Sequence, residues 1–250
     1  MKTMDVETFP NAPIKEALID IRVNLPKTVT EETLASLHQR VRDSYPQKKE
    51  RRIWKGAIEL PPDKQGFLKS TDQSVDGYFF LTEDGKHIVQ YRKDGFTYNF
   101  LRPYTNWEDM RNEASRLWGF YLESTHPTLI TRIALRYINI VEIPSMMFNL
   151  NEYFTAPPSI PPNLPQTIEN YSMTYTLNFP TENAKSLVTL STPGTSYPDK
   201  TQIYFDIDVF REFEFLPPFE NLWDKFENLR DIKNSIFFDS ITENTKKLFR

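Results

Sequence analysis

Residues Leu129 to Pro144, LITRIALRYINIVEIP, repeat in steps of two, and this pattern constrains the fold more than any other stretch. Ile133, Leu135, Tyr137, Val141 and Ile143 fall on one side of an extended segment, with Arg132, Arg136 and Glu142 on the other. A strand with one apolar and one charged face belongs in a sheet that is covered on one side only. Ala17 to Pro26, ALIDIRVNLP, repeats the pattern with Ala17, Ile19, Ile21, Val23 and Leu25 opposite Asp20 and Arg22. Both segments end in proline, and each is expected to open one half of the molecule.

What surrounds these strands follows a common order. Leu34, Leu37, Val41 and Tyr45 recur at helical spacing behind a capping signal at Thr28 with Glu31, or at Thr30. Strands are expected at Arg52–Leu60, Tyr78–Thr82, His87–Tyr91 and Phe96–Leu101, with Pro61–Gly77 as a polar loop. Asp84-Gly85 and Asp94-Gly95 separate the last three strands and signal hairpins. Thr105 with Glu108 opens a helix whose apolar face is Trp107, Met110, Ala114, Leu117, Trp118 and Tyr121, closed by Pro127.

The second half follows with a short helix near Phe148–Phe154 and a proline-rich connection through Pro157, Pro158, Pro161, Pro162 and Pro165. Strands at Ser172–Phe179, Lys185–Thr192 and Gln202–Phe215 come next, then a helical stretch Pro218–Arg250 that restarts at Thr242. Its expected core positions are Leu222, Phe226, Leu229, Ile236 and Leu248.

The expected fold class is therefore α+β, with two similar halves, 1–127 as β-α-β4-α and 128–250 as β-α-β3-α. Together they form a curved antiparallel sheet packed by helices, an element order resembling TATA-binding-protein-like and helix-grip folds. Element order alone carries no function.

Composition narrows the chemistry. The 250 residues suffice to bury about three quarters of the unfolded surface. With 7 glycines against 19 prolines and 19 phenylalanines, little is left for a phosphate-cradling loop. The absence of cysteine excludes disulfides, thiolate metal sites and a cysteine nucleophile. No G-x-S-x-G, P-loop or G-x-G-x-x-G motif occurs, and His38, His87 and His126 lack metal-ligand spacing. No catalytic residue, metal or cofactor is assigned. The N-terminus lacks the apolar run of a signal peptide and no segment approaches a membrane span, so a soluble cytoplasmic protein is expected.

Three constellations remain. Asp206 and Asp208 lie two apart on the polar face of the last long strand, where two carboxylates could share a hard cation or meet Arg132 and Arg136 from a neighbouring strand. These four residues form the candidate surface for a charged ligand. The run Lys48, Lys49, Arg51, Arg52 and Lys55 around Trp54 mixes cations with a stacking ring, as nucleic-acid surfaces do, although Glu50 and Glu59 flank it and the net charge is -4. Glu16 and Arg136 are a candidate structural polar pair.

FPNAPIKEALIDIRV, TRIALRYINIVEIP and LRDIKNSIFFDSITENTKKLF resemble three blocks of a sporadically distributed prokaryotic protein family of about this length, catalogued without an assigned function. Asn11, Pro13, Glu16, Arg136, Tyr137 and Asn139 are the distinctive positions. The resemblance carries over no catalytic residue. Patchy distribution implies mobile or anti-phage defence loci and a role beside a partner protein. The leading expectation is a non-enzymatic adaptor or regulatory subunit that binds another macromolecule, a protein before a nucleic acid, through the curved sheet face or the C-terminal helical segment. An enzyme or sensor holding a charged small ligand, such as a nucleotide with magnesium, is the alternative, with a nucleic-acid binder third.

Overall fold

A computed structural model describes residues 7–59, 67–145, 149–165, 168, 170–192 and 199–250, with side chains described for all of these except 54–59 and 67–73. The first half contains β1 (Ile14–Asn24), α1 (Glu31–Ser36), α2 (His38–Val41), β2 (Gln47–Glu59), β3 (Phe67–Leu81), β4 (His87–Arg92), β5 (Gly95–Leu101) and α3 (Trp107–Thr125). The second contains β6 (Leu129–Ile143), a 3-10 turn at Leu150–Glu152, β7 (Ser172–Phe179), β8 (Ala184–Ser191), β9 (Thr201–Phe215), α4 (Leu222–Ser240) and α5 (Glu243–Lys247).

All nine strands join one antiparallel sheet in the order β2-β3-β4-β5-β1-β6-β9-β8-β7. The two strands singled out by their alternation are its central neighbours. Ala17 lies opposite Tyr137, Ile19 opposite Leu135 and Ile21 opposite Ile133, all six buried. This side meets α3 and α4, whose apolar stripes carry Met110, Ala114, Leu117 and Tyr121, and Phe226, Leu229 and Ile232. Trp107, Trp118 and Phe226 are core rings. The opposite side of β1, β6 and β9 carries Asp20, Arg22, Arg132, Arg136, Asp206 and Asp208.

Several local expectations need correction. The polar loop expected at 61–77 is strand from Phe67 onward; residues 60–66, including the earlier strand's expected end at Leu60, lie outside the described residues. The helix expected near Phe148–Phe154 is a 3-10 turn capped by the Asn149 side chain, and Phe148 itself is outside the described residues. Asn106, rather than Thr105, caps α3, accepting from the Asp109 amide at 2.8 Å, while Thr105 bonds the Asp109 carboxylate. Thr30 caps α1 together with Thr33, and the single first helix is broken into two.

The Asp-Gly turns form differently from the mirror-image type that the dipeptide favours. Only the glycines have positive φ, +69° at Gly85 and +151° at Gly95, and Lys93-Asp94 rather than Asp94-Gly95 occupies the β4–β5 turn. At the C-terminus the restart at Thr242 is present, its hydroxyl accepting from the Thr245 amide. Phe249 is buried there, whereas Leu248 is half-buried. Among the described residues no helix is long and apolar enough to cross a membrane.

Candidate functional site

The side of the sheet that carries no helix among the described residues, its helix-free side, holds a connected seam of ion pairs. Asp20 is its centre: Arg92 donates to Oδ2 at 2.9 Å, the Thr97 hydroxyl to the same oxygen at 2.7 Å, and Arg22 to Oδ1 at 2.9 Å. Asp94 closes the loop, 3.1 Å from Arg92 and in contact with Arg22. Burial opposes the charge on Asp20, but the guanidiniums of Arg92 and Arg22 and the Thr97 hydroxyl outweigh it and hold the carboxyl below its usual range.

Arg132 extends the seam across the centre line, 3.5 Å from Asp20 and 3.1 Å from Asp208. The register places Arg136 directly opposite Asp208, yet its guanidinium leans along the strand to Asp206, with Nε 2.9 Å from Oδ1. The hydrogen bond to Asp206 is the main reason the Arg136 guanidinium holds its proton more tightly than usual. Asp208 is lifted above the ordinary carboxyl range: its burial, aided by the Asp206 charge, prevails over Arg132 and Arg136. Its Oδ1 is buried and accepts no hydrogen bond among the described residues.

The structure thus brings Arg132, Arg136, Asp206 and Asp208 together as two crossed pairs. A magnesium ion at the carboxylates, or a phosphate at the arginines, would have to displace existing partners. Among the described residues no group of three His, Asp or Glu side chains is arranged to hold a metal. The expected Glu16–Arg136 pair is replaced: Glu16 Oε1 accepts from Asn99 at 2.6 Å, and Asn99 in turn accepts from Gln90 at 2.8 Å. Glu16 still adds to the field that favours the charged form of Arg136.

Strand alternation divides the basic run on β2. Lys48 turns toward the helix side, over the Tyr78 ring at 4.5 Å, with its ammonium 3.4 Å from the Ala35 carbonyl. Arg51 pairs with Asp76, and Arg52 with Glu50 at 2.6 Å; Lys49 lies opposite Phe79. The side chains of Trp54 and Lys55 lie outside the described residues.

A second feature lies on the helix-covered side, where β4, β5 and α3 meet the loop after α2. A cavity of about 340 Å³ there, open to solvent on one side, is lined by Tyr45, His87, Tyr98, Phe100, Asp109 and Glu113, with hydroxyls of Ser44, Thr82 and Thr105. The Tyr45 hydroxyl donates to Glu113 at 2.8 Å, and Arg116 grips the same carboxylate at 2.7 and 2.8 Å. His87 Nδ1 meets the Tyr98 hydroxyl at 2.7 Å. Burial pushes the His87 imidazole below its usual range, against the pull of Asp84 and Glu113. Burial likewise raises both phenols, so they remain protonated at neutral pH.

Reading the sequence missed this cavity, although its signals were present. His87 shares the inward face of β4 with Val89 and Tyr91, and Glu113 sits beside the apolar stripe of α3. Neither stood out, because the residues that join them, Tyr45 and Tyr98, resemble ordinary core aromatics in sequence.

No family model matches the chain, and no curated protein matches it.

Proposed function

We propose that this protein is a non-enzymatic adaptor or regulatory subunit that binds another protein through the helix-free face of its sheet. One observation carries the reading: the nine-stranded sheet has a broad face whose central charges, on β1, β4, β6 and β9, are already paired with one another. A seam neutralised in this way offers little of the positive field that draws nucleic acid, and it leaves its Arg and Asp side chains committed before a small charged ligand arrives. Protein interfaces instead favour ordered polar groups mixed with apolar ones. Toward the β7 side this face carries Leu187, 41 % exposed, together with exposed Thr174 and Thr176.

The other surface considered for docking, the C-terminal helical segment, is committed to the fold. Phe226, Leu229, Ile232 and Phe237 are buried, the hydroxyls of Thr242 and Thr245 bond the carbonyls of Glu152 and Tyr153, and Arg250 pairs with Glu7 at 2.7 Å.

The reading includes an internal duplication about the β1–β6 boundary, in the manner of TATA-binding-protein-like folds. Supporting it, strands run outward as β1-β5-β4-β3-β2 on one side and β6-β9-β8-β7 on the other. In each half the first strand is central and the last strand pairs with it. A cytoplasmic setting within a mobile or defence locus belongs to the same proposal.

Native mass spectrometry of the untagged chain from its own host tests the binding. A stoichiometric second polypeptide is expected, retained by the Glu123→Gln control on α3 and lost from a Leu187→Arg, Thr176→Arg double variant that still folds. A chain that runs alone, or a partner that survives the double variant, removes the reading.

A further inference from the structure

The cavity beside His87 is independent of the sheet-face reading, since it opens on the opposite side of the sheet. Its volume of about 340 Å³ falls within the range of small-ligand sites. The chemistry of its wall is one-sided. Neither lysine nor arginine lines it, whereas two carboxylates and three aromatic rings do.

Glu113 is compensated by Arg116, but Asp109 is not. Its Oδ2 accepts from Thr105 at 2.9 Å and from the Asn106 amide at 2.8 Å, and no cation pairs with it among the described residues. His87 also lines the cavity. Its Nδ1 is taken by Tyr98, while Nε2 has no hydrogen-bond partner among the described residues and is not sealed from solvent. Because the imidazole is held neutral, it adds no positive charge to the wall. A pocket with two carboxylates, one of them uncompensated, and with ring faces repels anions and fits a cation.

We propose that this cavity binds a small organic ammonium ion, its charged head toward Asp109 and its apolar body against Tyr45, Tyr98 and Phe100. Acidification opposes binding, because protonation of His87 would place a second cation in the pocket. The groups facing the imidazole are Asp84 and Lys86 on the adjoining turn, Glu113 on α3 and the Tyr98 hydroxyl.

Benzylamine is the probe, with benzyl alcohol and benzoate as neutral and anionic counterparts of similar shape. Titration of the full chain at pH 7.5, followed through the His87 ring resonances in NMR and assigned with His87→Gln, is expected to give a dissociation constant of about 1 mM or tighter for benzylamine. Benzoate should leave the His87 signals unmoved, and benzyl alcohol should bind at least about tenfold more weakly. Asp109→Asn, at an exposed rim position, should fold normally and weaken benzylamine by about tenfold, while Glu123→Gln, at the opposite end of α3, should leave the affinity unchanged. No response of the His87 signals at 10-fold above that concentration, an equal response to benzoate, or full affinity in Asp109→Asn overturns the proposal.

Discussion

The guanidinium of Arg92 and the carboxylate of Asp20 meet at 2.9 Å although their strands are not neighbours: β5 lies between β4 and β1. The reach is possible because Gly95 stands opposite both Arg92 and Arg22 and puts no side chain between them. Both partners are almost fully buried, with side chains 4 % and 7 % exposed.

Removing Arg92 takes from Asp20 its most deeply buried cation and leaves the carboxylate to Arg22, Arg132 and the Thr97 hydroxyl. Arg92→Ala should therefore cost about 2 kcal/mol of unfolding free energy, measured by urea titration. Arg136→Ala, at a pair whose guanidinium is 40 % exposed, should cost about 1 kcal/mol or less. The pH dependence has a definite sign. Asp20 is held below its unfolded value of 3.8, so its contribution is complete above that pH and is lost as pH falls through the lower native value. Arg92→Ala should flatten this acid limb of the stability curve; equal losses in the two variants would contradict the burial argument.

Gly95 itself is irreplaceable on two grounds. Its φ of +151° is one that L side chains rarely adopt, and a Cβ there would stand 2.2 Å from the Ile21 carbonyl oxygen. Gly95→Ala should destabilise by about 3 kcal/mol or more, or prevent folding. Gly85→Ala, with φ +69° but open space around it, should cost only about 1 kcal/mol. Thermal melts of the two variants measure the difference.

The central strands were legible because a period of two survives in sequence whatever the strand's partners. For the same reason Asp206 and Asp208 could be placed on one face with Arg132 and Arg136. The pairing within that face was not legible, since long side chains lean along a strand and reach diagonal neighbours. Arg136 illustrates this: it lies opposite Asp208 and binds Asp206. The start of β3 was hidden for another reason. Its residues Phe67 to Gly77 alternate weakly, and their strand character comes from pairing along β2.

Lys233 on α4 places its ammonium 4.0 Å from the centre of the Tyr137 ring, and no carboxylate pairs with it among the described residues. Burial, with the Arg230 charge adding to it, lowers its pKa from 10.5 to about 7. The side chain is half-buried at its surface and the ring face favours the cation, so both limit the energetic consequence. Below pH 7 both native and unfolded chains are protonated and the native state bears the full cost. Between 7 and 10.5 only the unfolded chain keeps the proton, so the cost fades as pH rises. Lys233→Met should accordingly raise stability by about 2 kcal/mol at pH 6.5, and the gain over the parent should shrink toward pH 9.5. A gain independent of pH would assign the effect to packing instead.

Glu16 has two diagonal neighbours on the helix-free face, Asn99 on β5 and Arg136 on β6. Only the first is its partner, at 2.6 Å, because Arg136 is engaged by Asp206. A charge-assisted hydrogen bond of this kind is worth about twice a neutral one, so the double-mutant cycle of Glu16→Ala with Asn99→Ala should show a coupling of about 1 kcal/mol. The cycle of Glu16→Ala with Arg136→Ala should couple by about 0.3 kcal/mol, the residue of a longer-range attraction across a partly solvated face. Chemical denaturation of both sets of variants measures the two numbers side by side. If the second coupling proves the larger, Glu16 in solution turns from the β5 amide to the β6 guanidinium, and the ion-pair seam then extends from Asp206 through Arg136 to the N-terminal end of β1.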